Sequence, residues 1–447
     1  MSSTDLPPLL RLPLHTIAHI LSNVKTIQEL GPIILSHSIF RDALQENFHS
    51  VVSAIIMRRV PDGALPYLLA LVGSQRLSLS NPAAVKQLLG LAASPCPVAL
   101  STLGLSKAEY AYMNSSCSSA KAIYRQMALE LKPLCNAPKK RHYVNPWERF
   151  RISRAVFRYQ LMCNLFCHRL CLIRRQAFGP RFDDEELKRL FFSSFSPWVN
   201  EELMCVFVFL RRKVAQDTPD VDFISQIHWM LCMGLPFLSK IVSGGTLRST
   251  GIPQFSTGRS ATRAYNPHTI LLCSKLVPEQ LTLNPPLQDP GLPLKFWDKS
   301  QILQLDPQRA PHNSPFRAWM GAHFRCPISR TVCCDADSNL WFFGYVIWTS
   351  RRWEDPPWDE FYESSDEYRR REPIFPRPGK EWGRDDCLRS RKQRKDIHDA
   401  GGEGYWPREG GDWSEIRGLT APQKEALEAK WLREAATEST GESSTTE

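Results

Sequence analysis

Leu12 to Leu44 reads LPLHTIAHILSNVKTIQELGPIILSHSIFRDAL, and the spacing of its apolar residues decides the fold class. Leu14, Ile17, Ile20, Leu21 and Val24 recur at steps of three and four. That spacing lays them along one side of a helix, while His15, Ala18, His19, Ser22 and Asn23 fall elsewhere. A polar step from Lys25 to Glu29 leads to a second series, Leu30, Ile33, Ile34 and Leu35. Gly31 and Pro32 stand where this second helix begins, because a first turn needs no internal N–H donor. Phe40 and Leu44 continue the stripe, so the stretch predicts two or three short helices with one shared apolar side, and a mainly α protein.

These residues carry a resemblance. The stretch resembles an F-box, in which a Leu-Pro pair opens a short helical unit and apolar residues follow at fixed offsets. Here Leu12-Pro13 opens it, and Ile17, Ile20, Leu21, Val24, Leu30, Ile33, Leu35 and Phe40 stand at the apolar offsets. His15 stands where an acidic residue is common, Thr16 replaces an apolar one, and Ser38-Ile39 replace a frequently basic pair. The resemblance implies binding to the Skp-family adaptor of an SCF-type cullin-RING ubiquitin ligase, and to the cullin through it. The implied adaptor-binding residues are Leu12, Pro13, Leu14, Ile17, Ile20, Leu21, Val24, Leu30, Ile33, Leu35 and Phe40. The rest of the chain would then recruit an unknown protein substrate. A unit of about forty residues buries too little apolar surface to be secure alone, so its uncovered side is read as an interface.

Outward from this stretch, the composition describes a large chain with an uneven charge. Its 447 residues are 43% hydrophobic, enough for at least one sizeable core. The net charge of +10 divides unevenly: residues 1–350 carry 38 basic and 23 acidic side chains, residues 351–447 carry 18 and 23. A basic body steers acidic partners, but no nucleic-acid module accompanies it, so nucleic acid is not an expected partner. The opening residues lack a basic region followed by a long apolar core, which predicts a cytoplasmic or nuclear protein. The thirteen cysteines are then expected to be reduced and mostly buried. Leu203 to Leu210 and Trp229 to Leu238 fall well short of the roughly eighteen apolar residues of a membrane helix.

Helical signals continue through the body. After residues 1–10, an N-terminal tail, and the module at 11–58, Pro61-Asp62-Gly63 is a turn signal that sets a boundary near residue 60. Pro66–Val72 and Pro82–Leu91 read as short helices, the second capped by Asn81. Pro95-Cys96-Pro97 breaks the chain, and Ser106–Tyr112 and Ser119–Leu131 read as two more helices. The strongest helix runs from about Trp147 to Phe178, with Ile152, Val156, Tyr159, Met162, Phe166, Leu170 and Ile173 in one stripe. Arg151, Arg154 and Arg158 share a face of it and are expected to be solvated. Asp183–Phe192 and Asn200–Val214 follow, the latter ending in Arg211-Arg212-Lys213, charges suited to a helix C-terminus.

The middle of the chain carries a second, looser resemblance. Segments Arg151–Leu170, Phe191–Leu210 and Phe342–Trp348 look like segments that recur in this order in uncharacterised F-box-like proteins of filamentous fungi. The likeness spans about residues 12–350 and implies one helical partner-binding body, residues 59–350, without naming a substrate. Residues 243–268 and 278–315 read as loops, and Trp341–Trp348 as a closing helix. Beyond residue 350 the composition predicts a mostly disordered charged tail with one helix at 420–436, where Thr420 and Gln423 form a capping box. The basic run Arg389–Lys395 is a candidate import signal or a solvated charge run.

No catalytic constellation emerges. His15 and His19 lack the glutamate of an HExxH site, and Cys163, Cys167 and Cys171 lie on one helix, whereas a tetrahedral site needs ligands converging from several elements. His323, Cys326, Cys333 and Cys334 are the nearest approach to a zinc knuckle, though an adjacent cysteine pair suits two ligands poorly. No nucleophile elbow, phosphate loop or dinucleotide fingerprint occurs. The expectation is an adaptor without catalytic residues, metal or cofactor. The alternative is a non-enzymatic helical scaffold or regulatory protein whose opening hairpin packs on its own body.

Overall fold

The structure is a computed structural model that describes residues 11–77, 81–93, 100–131, 144–167, 191–192, 194–217, 227, 230–244, 315, 318, 344–348, 392–393, 396–397, 399–402 and 419–441. The fold is mainly α: about 81% of the described residues are helical and no strand occurs among them. The elements are α1 (Leu14–Ser22), α2 (Leu30–Ser36), α3 (Ser38–Glu46), α4 (Phe48–Arg59), α5 (Leu65–Arg76), α6 (Pro82–Ala93), α7 (Lys107–Leu131), α8 (Pro146–Met162), α9 (Pro197–Asp217), α10 (Leu235–Val242) and α11 (Ala421–Gly441). No helix among the described residues is long and apolar enough to cross a membrane.

Helix α8 is the axis of the body. Every residue from Phe150 to Met162 is buried, so it meets protein all round, against α5, α7 and α9. Asn145 caps it: its Oδ1 accepts the Glu148 N–H at 2.9 Å, and the Glu148 carboxylate accepts the Asn145 N–H at 3.1 Å. The sequence stripe Ile152, Val156, Tyr159 and Met162 is fully buried. A π turn at Cys163–Cys167 follows α8, and the expected continuation to Phe178 lies outside the described residues.

Three readings are corrected. Arg151, Arg154 and Arg158 do not form a solvated face: each is at most 3% exposed. Arg154 faces Glu202 of α9, Arg158 donates to the Val199 carbonyl and to Asn200 Oδ1, both at 2.6 Å, and Arg151 donates to the Ile347 carbonyl at 3.0 Å. Arg211 and Arg212 are likewise buried, and α9 runs on to Asp217. Periodicity could not separate these cations from solvent-facing ones, because the acceptors of Arg151, Arg154 and Arg158 lie between 41 and 196 residues away in the chain.

The second correction concerns Trp341–Trp348. Its described part, residues 344–348, is a turn rather than a helix: Gly344 has φ +68° and its carbonyl accepts the Ile347 N–H at 2.8 Å. Tyr345, Val346, Ile347 and Trp348 are all buried, and Arg151 takes up a carbonyl that the turn leaves without a helical partner. The third correction is that Lys107–Leu131 is one helix, not two. The polar run at Asn114–Ser119 stays helical because neighbours occupy its side chains: Arg59 donates to Asn114 and Ser118, and Ser239 to Ser119.

In the acidic C-terminal region, the Thr420 N–H donates to Gln423 Oε1 at 2.9 Å, the capping-box bond expected there. Helix α11 is held to Asp396 and Lys392: Lys430 and Trp431 donate to the Asp396 carboxylate at 2.7 and 2.9 Å, and Lys392 pairs with Glu434 at 3.1 Å. The loops expected at 243–268 and 278–315 lie almost wholly outside the described residues, as do Pro95–Pro97, the zinc-knuckle candidates His323, Cys326, Cys333 and Cys334, and most of the tail.

Candidate functional site

The candidate site is the opening module, and it is built around a small core. Helix α1 packs on α3 and α4, and α2 on α3. Ile17, Ala18 and Leu21 of α1 are buried, with Leu30 of α2 and Ala43 of α3. Ile20 is 44% exposed. At 3.6 residues per turn it lies about 60° to one side of Ile17, while Leu21 and Ala18 lie on the other. The buried side of α1 is therefore turned away from Ile20 and takes in Ala18, which the apolar spacing had placed elsewhere.

The eleven residues of the sequence reading divide accordingly. Ile17, Leu21 and Leu30 are inside, at 4% exposure or less, and support the module rather than present a surface. Pro13, Ile20 and Leu35 are open to solvent, Leu35 at 86%. Leu12, Leu14, Val24, Ile33 and Phe40 are half-buried against the core. An exposed leucine alone is ordinary, but Ile20, Leu35 and five half-covered apolar side chains within thirty residues concentrate uncovered apolar surface in one module.

The module is braced on the body through α4. The chain turns at Pro61–Gly63, where Gly63 has φ +80°, yet residues on both sides of the turn share one continuous core. Helix α4 packs on α7. The Tyr110 hydroxyl lies 3.2 Å from Ser53 Oγ, Arg59 donates to Ser118 Oγ at 2.6 Å, and Asn114 donates to Gln28 at 2.8 Å. Arg58 ties the end of α1 to α4, donating to Asn23 Oδ1 at 2.9 Å and to the Val24 carbonyl at 3.1 Å. These bonds fix the angle at which the open residues are presented.

His15 and His19 are exposed, and no cluster of three His, Cys, Asp or Glu side chains able to hold a metal occurs among the described residues. Cys117, Cys163 and Cys205 are buried free thiols. Burial pushes the Cys117 thiol up to about 12 and Cys205 well above its ordinary value, which keeps both protonated and unreactive near neutral pH. Which apolar residues stay open was the part sequence reasoning missed: the pattern marks a stripe, and only the packing of α3 and α4 decides which edge of it is covered. No protein-family model, curated protein or solved structure matches the chain.

Proposed function

We propose that this chain is a substrate receptor of an SCF-type cullin-RING ubiquitin ligase, whose opening module docks on the Skp-family adaptor while the helical body recruits a protein substrate. The observation that carries this reading is the division within residues 12–40. Ile17, Leu21 and Leu30 are buried in a core shared with the body, and Pro13, Ile20 and Leu35 remain uncovered on a module braced by Arg58 and Arg59. Covering Ile20 and Leu35 in a complex would contribute up to about 1.5–3 kcal/mol each, enough for two side chains to dominate an interface. The ligase chemistry then belongs to other subunits, and this chain contributes proximity.

The test is co-purification of the full chain with the Skp-family adaptor. Ile20→Glu with Leu35→Glu is expected to abolish capture while leaving the unfolding free energy within about 1–2 kcal/mol of the unaltered chain, so that the variant stays folded. Undiminished capture by that double variant overturns the reading.

A helical scaffold is the second reading, and a specific observation favours it: α4 packs on α7, so the module is fused to the body rather than hung from it. A scaffold would show no adaptor binding at all, with or without the two substitutions.

A further inference from the structure

A cleft of about 540 Å³ opens between the α1–α2 link, the end of α4, and helices α7 and α8. Buried Cys117, Ala120, Ser153 and Phe157 lie at its base. Its walls hold six cations, Lys25, Arg58, Arg59, Lys121, Arg125 and Arg149, against one carboxylate, Glu29. Glu29 is already engaged by its own turn, accepting from the Lys25 N–H at 3.3 Å and the Thr26 hydroxyl at 3.2 Å.

None of the six cations faces a carboxylate across a hydrogen bond among the described residues. Arg58 is spent on Asn23 and Val24, Arg59 on Asn114 and Ser118, and Arg149 donates to the Arg59 carbonyl at 2.8 Å and lies 5.8 Å from the Tyr124 ring centre. All of these acceptors are neutral. Lys121 loses proton affinity, first to burial and then to Arg125, Arg59, Arg149 and Lys25, so the cations act on one another across the cleft. Gathering like charges in a concavity with an apolar base opposes folding and focuses positive potential there. That arrangement has a use only when an anion fills it.

We propose that this cleft is a binding site for a compact small molecule carrying two or more phosphate groups. The volume lies within the usual range of small-ligand pockets. Arginine forks match phosphate oxygens in pairs, and a single phosphate would leave most of the six cations unanswered. The cations converge from four separate elements on one concavity of about 540 Å³, which suits a compact ligand rather than an extended phosphopeptide. Lys25 and Arg58 come from the opening module, and Arg59, Lys121, Arg125 and Arg149 from the body, so the ligand would clamp the two together. None of the open residues Pro13, Ile20 and Leu35 lines the cleft.

The test is calorimetric titration of the full chain at fixed ionic strength with tripolyphosphate, ATP, orthophosphate and sulfate. Tripolyphosphate or ATP is expected to bind at least about tenfold more tightly than orthophosphate or sulfate, since only they bridge several cations. Preference for ATP assigns a nucleotide, and preference for tripolyphosphate assigns the phosphate chain itself. Lys121→Ala with Arg125→Ala, both exposed, is expected to lower that affinity at least about tenfold, whereas Lys86→Ala with Lys240→Ala, exposed and outside the cleft, leaves it unchanged. Equal affinity for all four anions, indifference to the Lys121 and Arg125 replacements, or tighter binding of a doubly phosphorylated peptide than of tripolyphosphate overturns the proposal.

Discussion

Arg154 of α8 meets Glu202 of α9 as a two-pronged pair, Nε to Oε2 at 2.9 Å and Nη2 to Oε1 at 2.6 Å, with both side chains at 3% exposure or less. Two planar groups aligned this way in the core tie α8 to α9. A buried pair of this kind is costly to break and cheap to replace, because removing one partner strands the other charge without solvent. Glu202→Gln is therefore expected to cost about 3–5 kcal/mol in urea denaturation, and Arg154→Met with Glu202→Leu to recover most of that loss. A double variant as unstable as the single one would show that the pair is not the source of the cost.

Ile17 and Ile20 stand three residues apart on α1 at 0% and 44% exposure, and their substitutions should separate cleanly. Ile17→Ala opens a cavity in the module and is expected to cost about 2–5 kcal/mol. Ile20→Ala is expected to stay within about 1 kcal/mol, since water already reaches the side chain. Denaturation midpoints of the two variants compare them directly, and equal losses would mean that the buried side of α1 is wider than Ile17, Ala18 and Leu21.

How far the fold was legible follows from where each residue finds its partner. Helix positions were readable because apolar periodicity and caps are local: Asn81 Oδ1 does accept the Ala84 N–H, at 3.2 Å, and Gln423 does reach back to Thr420. Arg151 was not readable, since its acceptor lies 196 residues away, nor was the continuity of α7 through Asn114–Ser119, whose side chains are held by Gln28, Arg59 and Ser239. The candidate module was legible as a stripe but not as an inside and an outside, and the basic cleft not at all. Lys25, Arg59, Lys121 and Arg149 belong to separate elements, and only their docking converges them.

Gly234 opens α10 with φ +78°, and a Cβ there would stand 2.6 Å from Gln160 Oε1. That oxygen accepts the Leu235 N–H at 2.5 Å, so it caps α10 from α8 and cannot retreat without losing the bond. Gly234→Ala combines an unfavourable backbone conformation with displacement of the cap, and is expected to cost more than about 1 kcal/mol. Gln160→Ala removes the clash as well as the cap, so the second variant should absorb part of the cost of the first. Additive losses in a double-variant cycle would separate the glycine from the glutamine.

Glu109 closes the start of α7. Its carboxylate accepts the Ser106 N–H at 2.8 Å and the Ser106 hydroxyl at 2.9 Å, and it also meets Arg76 of α5. The Ser106 N–H, with Arg76 beside it, holds the carboxyl below its ordinary value of 4.5. A carboxylate so depressed binds fewer protons in the folded chain than in the unfolded one. Its stabilising effect is therefore full above the unfolded value and drains away as pH falls through the folded one. Urea titrations should show Glu109→Gln less stable than the unaltered chain at neutral pH, with the gap closing below about pH 4. Ser106→Ala, which removes the hydroxyl accepting the Glu109 N–H at 3.3 Å, is expected to cost about 1 kcal/mol. A Glu109→Gln gap that persists undiminished at about pH 3 would place the effect in packing against α5 rather than in the charge.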